Sequence, residues 1–184
     1  MPSIAKLGFT ECSWRATHDC CEGRVQIGCC ICAISEFSAP ACAQAPLIEK
    51  NVSTKMVLAI LQGALEQSTA DGYKVSVVVV GRAGNIAGSI YGDGSNLDTM
   101  ELARLKAYTA RTRSQTMVEF KALTDKPETA FFKQIPGVVG IGGGVPIKAG
   151  NGVIGGVGVS GAPGGENDEK CAMEGIAKIA ASLQ

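Results

Sequence analysis

The chain has 184 residues, and its 17 basic and 17 acidic side chains leave no net charge. With no basic cluster, this excludes an electrostatic footprint for nucleic acid, and no apolar run approaches the length of a membrane span. Twenty-four glycines against one Trp, three Tyr and five Phe suit a sheet packed closely by helices better than an aromatic binding platform.

The cysteines divide the chain. Seven of the eight, from Cys12 to Cys42, precede residue 45, and only Cys171 follows. Cys29, Cys30 and Cys32 do not make paired C-x-x-C knuckles, and His18, the sole histidine, lacks a histidine partner, so no protein-bound metal is expected. Residues 27–34, IGCCICAI, follow Arg24, and Ala41-Cys42-Ala43 forms a small-residue cleavage site. Together they read as a secretory signal cut before Gln44, which would place the protein in the periplasm or outside the cell. Against this, Glu11, Asp19 and Glu22 cancel Lys6, Arg15 and Arg24, and Glu36 interrupts the segment. The competing reading of residues 1–43 is therefore a disordered extension on a cytoplasmic protein. A chain beginning at Gln44 has no histidine and one cysteine.

From Thr54 to Asp71, Val57, Ile60, Leu61, Ala64, Leu65 and Ser68 recur at steps of three and four, predicting an amphipathic helix ended by Asp71 and Gly72. Tyr73 to Val80 is valine-rich and reads as a central strand covered on both faces. A turn over Gly81–Asn85 returns the chain through a second strand, Ile86 to Tyr91. Asp98 followed by Glu101 resembles a capping box for a helix to about Arg113. A weaker helical stretch around Met117, Phe120 and Leu123 breaks at Lys126 and Pro127, with one further turn over Thr129–Gln134.

Strands are predicted over Val138–Ile141, Val145–Lys148 and Gly152–Gly161, with a hairpin at Asn151-Gly152. In the last strand Val153, Gly155, Val157 and Val159 share one face, while Ile154, Gly156, Gly158 and Ser160 share the other. A face so bare of side chains admits a closely packed helix or a flat ligand, and helix packing is the simpler account. Glu166 to Glu169 then place acidic residues at the start of a final helix from Asn167 to Leu183. No strand–helix–strand crossover repeats, so the fold class is α+β: a five-stranded antiparallel sheet with helices on its faces.

The ordered succession YKVSVVVVGRAGNIAG, ELARLKAYTA, GGGVPI, GVIGGVGVSG and ENDEKCAMEGIA resembles the GlcG/HbpS-like family, which takes in haem-binding HbpS-type proteins and the PduO C-terminal domain. The likeness covers residues 52 to 183 and implies one domain over 52–184 with a profilin-like three-layer arrangement and assembly into homo-oligomers. Relatives commonly carry aspartate where this chain has Gly81, which removes one carboxylate from the family's pattern.

Two functions follow from the resemblance. The first is binding of haem or a related tetrapyrrole as a small-molecule ligand. The glycine-lined backbone and Ser160 would face the macrocycle, while Lys106, Thr109 or amides of Gly142, Gly143 and Gly144 would hold its carboxylates. Haem iron takes His, Met, Cys or Tyr, which leaves Tyr91, Tyr108, Met100, Met117 and Cys171 as donors; Tyr91 is otherwise a packed aromatic at a strand end. The second is an enzyme or sensor for a small, glycolate-like carboxylate, with the same amides as an anion pocket, Lys106 as electrostatic partner and Asp168 as acid or base. Each residue also has a plainer role: Lys106 as a solvated helix lysine, Asp168 as a helix-start carboxylate, Cys171 as a small buried hydrophobe.

Overall fold

The structure, a computed structural model, describes residues 46–183; the candidate signal segment and His18 lie outside the described residues. Ser53 caps the first helix, α1 (Thr54–Ala70), its hydroxyl accepting from the Met56 amide, and Val57, Ile60, Leu61 and Ala64 form the buried stripe that the periodicity predicts. The chain then makes a hairpin of β1 (Ser76–Gly81), buried at every position, and β2 (Ile86–Tyr91), exposed along much of its length. Helix α2 (Thr99–Arg113) and the short α3 (Met117–Thr124) follow, with a 3-10 segment over Pro127–Gln134. A second hairpin, β3 (Gly144–Ala149) and β4 (Gly152–Ser160), leads into α4 (Gly165–Ala177).

The four strands pair antiparallel in the order β2-β1-β4-β3, so the two hairpins meet at their centres. One sheet face carries Val77, Val79, Val157 and Val159 against Ile60, Leu61, Cys171 and Ala172 of α1 and α4. The opposite face sets Val78 and Val80 against Ala103 and Ala107 of α2. Helices thus cover both faces of an α+β sheet.

The bare glycine face of β4 is the seat of α2. A Cβ on Gly158 would stand 2.0 Å from the Ala103 carbonyl oxygen, and one on Gly156 would stand 2.4 Å from that of Ala107. Helix backbone and strand backbone are in contact, which a side chain at either position would prevent.

Among the described residues the sheet has four strands, not the expected five. Val138–Ile141 is irregular: Gly137 takes a left-handed conformation (φ 81°), and the Thr109 hydroxyl accepts from the Val139 amide at 3.1 Å, which draws this segment onto α2 rather than onto a sheet edge. The hairpin turn falls one residue earlier than predicted, at Gly150 (φ 58°) and Asn151, with Ala149 paired to Gly152. Asp98 makes no side-chain cap; Glu101 instead holds Arg104 at 2.6 Å. The capping box is at Thr116 and Glu119, opening α3. The last helix ends at Ala177 and continues only as a 3-10 turn over Ala180–Ser182. No described helix is long and apolar enough to cross a membrane.

Candidate functional site

The middle of α2 directs Lys106 across the end of β4 to the first turn of α4. Its Nζ donates to Asp168 Oδ2 at 2.7 Å and to the Val159 carbonyl at 3.0 Å, and the two side chains are only 3% and 4% exposed. Asp168 Oδ1 accepts from the Ala162 amide at 2.9 Å, fixing the chain as it leaves β4. Burial pushes the Asp168 carboxyl above the ordinary aspartate range, while the Lys106 charge and hydrogen bond pull it back down. Such a pair contributes little net stability, because desolvation offsets the attraction, but losing one partner strands the other.

The glycine triplet makes room for this pair. Gly143 is left-handed (φ 111°), and a Cβ there would lie 2.6 Å from Asp168 Cβ and 2.9 Å from Lys106 Nζ. A Cβ on Gly142 would stand 3.0 Å from the Gly165 Cα, and one on Gly144 would stand 2.6 Å from the Lys106 carbonyl oxygen. The Gly143 carbonyl accepts from the Val159 amide at 2.8 Å, and its amide bonds the buried Glu169. Its backbone groups therefore point inward, to protein partners. Glu169 also accepts from the Val118 amide at 3.0 Å, and burial pushes its carboxyl up.

Lys106, Ser160 and Asp168 come together in one cleft of about 320 Å³, bordered by Asn96, Thr99, Leu102 and Ile141. Of the other expected residues, the glycine triplet packs against the pair, while Thr109, Tyr108 and Tyr91 lie elsewhere. Thr109 is buried, its hydroxyl donating to the Leu105 carbonyl at 2.8 Å. Tyr108 is half-buried between Gly84 and Gly137. Tyr91 opens on a second cleft, about 370 Å³, with Tyr73, Lys74 and Asp93. Tyr91 is 45% exposed, and its hydroxyl donates to the Ser95 carbonyl at 2.7 Å.

Of the other donors, Met117 and Cys171 are fully buried, and burial raises the Cys171 thiol to about 11, so it stays protonated at neutral pH. Among the described residues no group of three His, Cys, Asp or Glu could hold a metal ion. Sequence reasoning missed Glu169 as a buried residue and Lys74 as part of a cleft. Only the placement of Glu169 one residue after Asp168, on the helix face toward α3, signalled the first.

These features define an antiparallel sheet sandwiched by helices, with a buried lysine–aspartate pair at the β4–α4 junction. Residues 52–177 match the family model described as haem degrading protein HbpS-like, and the chain belongs to this HbpS-like family. It is similar to a double mutant of Streptomyces reticuli HbpS at 31% identity and TM-score 0.70, covering 76% of this chain and 96% of that one. The PduOC:heme complex is 26% identical with TM-score 0.64, covering 70% of this chain and 95% of the other. Klebsiella pneumoniae ORFY shares the fold at 20% identity and TM-score 0.70, covering 76% and 97%. No curated protein sequence matches the chain.

Proposed function

We propose that this domain binds haem or a related tetrapyrrole through Tyr91. The observation that carries the reading is the likeness, over 70% of the chain, to a structure described as a heme complex, and the HbpS-like family match supports it. Of the donors present, Tyr91 is the most open, Tyr108 and Met100 being half-buried. No histidine occurs between residues 46 and 183, Cys171 and Met117 are sealed in the core, and Tyr91 sits on an edge strand beside an open cleft. Tyrosine is an established axial ligand of haem iron. Lys74, in the same cleft, supplies a cation for a carboxylate side chain of the macrocycle.

When bound, haem supplies redox iron. The chain supplies orientation: the Tyr91 hydroxyl donates to the Ser95 carbonyl at 2.7 Å, a contact it would give up to ligate iron. Self-association belongs to the same proposal, as does export if the segment before Gln44 is a signal. The small-carboxylate reading is weaker, because Asp168 already neutralises Lys106 at 2.7 Å.

Titrating the full chain with haem tests this. A saturable Soret change at one haem per chain is expected, with Tyr91→Phe changing the spectrum and weakening binding tenfold or more. An unchanged Tyr91→Phe spectrum would overturn the ligand assignment, and a non-saturating titration would overturn the function.

A further inference from the structure

A polar cleft of about 310 Å³ lies at the end of the β1–β2 hairpin remote from Tyr91, lined by Glu49, Asn51, Arg82, Ala83 and Arg111. Two guanidinium groups from separate elements meet there. Arg82 begins the turn after β1; its amide donates to Asn51 Oδ1 at 2.9 Å, and its Nη2 donates to Glu49 at 2.8 Å. Arg111, in the last turn of α2, donates from Nε to the Arg82 carbonyl at 2.7 Å. Its stem packs on the sheet, with Cβ 3.1 Å from where a Gly156 side chain would begin.

Arg111 is therefore held at its stem and at Nε, while its two terminal nitrogens have no partner among the described residues. An arginine near a helix C-terminus ordinarily serves the helix's own last carbonyls. This one is turned to another element, with its fork left over. The single carboxylate in the cleft, Glu49, is 44% exposed and engages only Arg82. Two cations and one partly exposed anion leave an unmatched positive charge, in a geometry suited to two-pronged oxyanion recognition.

We propose that this cleft is a binding site for a small oxyanion of two negative charges, a phosphate group or a dicarboxylate, which displaces Glu49 and spans Arg82 and Arg111. The site is independent of the tetrapyrrole reading. Glu49 stands in for the ligand, as an internal carboxylate on Arg82 Nη2, while Arg82 Nη1 donates to the Val153 carbonyl at 3.4 Å.

Calorimetric titration of the full chain with inorganic phosphate, and in parallel with succinate, at constant ionic strength tests the proposal. Saturable binding of one anion per chain is expected. Arg111→Met, which keeps the packed stem and removes the fork, should weaken it tenfold or more. Glu49→Gln, which removes the internal competitor, should tighten it severalfold. Preference for phosphate or for succinate identifies the ligand's source. Absence of saturable binding of either anion overturns the site, as does a Glu49→Gln affinity that is unchanged or weaker, or an Arg111→Met protein that melts normally and binds as before.

Discussion

Replacing Gly158 by alanine adds one methyl group where no space exists. The new Cβ would sit 2.0 Å from the Ala103 carbonyl oxygen and 2.6 Å from the Ala107 amide nitrogen. Both are backbone atoms of α2, so no side-chain rotation relieves the contact. Restoring an ordinary separation of about 3.4 Å requires α2 to move off the sheet by more than an ångström, which loosens Ala103 and Ala107 against Val78 and Val80. Overpacking of this kind costs about 3 kcal/mol, or a melting temperature lower by roughly 10 °C in a domain of this size. Gly152→Ala on the same strand is the control: its nearest neighbour is the Ala149 carbonyl at 3.8 Å, and the lost glycine flexibility makes the change neutral or mildly stabilising. Thermal unfolding followed by circular dichroism compares the two. If Gly158→Ala and Gly152→Ala melt within about 2 °C of each other, the backbone contact between α2 and β4 is not what requires glycine there.

The buried pair gives a second expectation: Lys106→Met leaves the Asp168 carboxylate buried beside an apolar side chain and should cost about 3–5 kcal/mol, read by urea unfolding. Adding Asp168→Leu to that variant should recover part of the loss; a double variant less stable than Lys106→Met alone would contradict the account. Glu169 supplies a pH test. Burial raises its native pKa above the unfolded value, so the native state holds the proton more tightly and this group favours folding most at low pH. Its contribution declines as pH rises from about 4.5 through the raised native pKa. The stability of wild type minus that of Glu169→Gln should therefore fall over this window in paired denaturation curves, and a difference that rises with pH would refute the assignment.

Much of this fold is legible in local pattern, because its elements answer to local rules. The stripe from Val57 to Ser68 specifies α1, and unbroken valine specifies the central strand. Glycines alternating along β4 announce close packing, although only the structure names α2 as the partner. Val138–Ile141 reads as a strand by composition but is claimed by Thr109, a tertiary contact no strand propensity encodes. The site was half legible. Lys106 and Asp168 stand out singly, yet their pairing spans 62 positions, and a solvated lysine and a helix-start aspartate look the same in sequence as a buried pair. Glycines 142 to 144 suggest free amides, whereas they serve as clearance for side chains and helix backbone.

The meeting of the two hairpins at β1 and β4 has a kinetic side. Each hairpin joins neighbours in the chain, but Val79 pairs with Val157, so the central seam closes a loop of roughly 80 residues and carries the largest entropy of closure in the sheet. Docking of α2 requires that seam, since Val78 and Val80 come from one side of it and Gly156 and Gly158 from the other. Until it forms, α2 has half a floor to rest on, and the cleft holding Lys106 and Asp168 does not exist. Closing that pairing thus completes both the core and the candidate site in a single step.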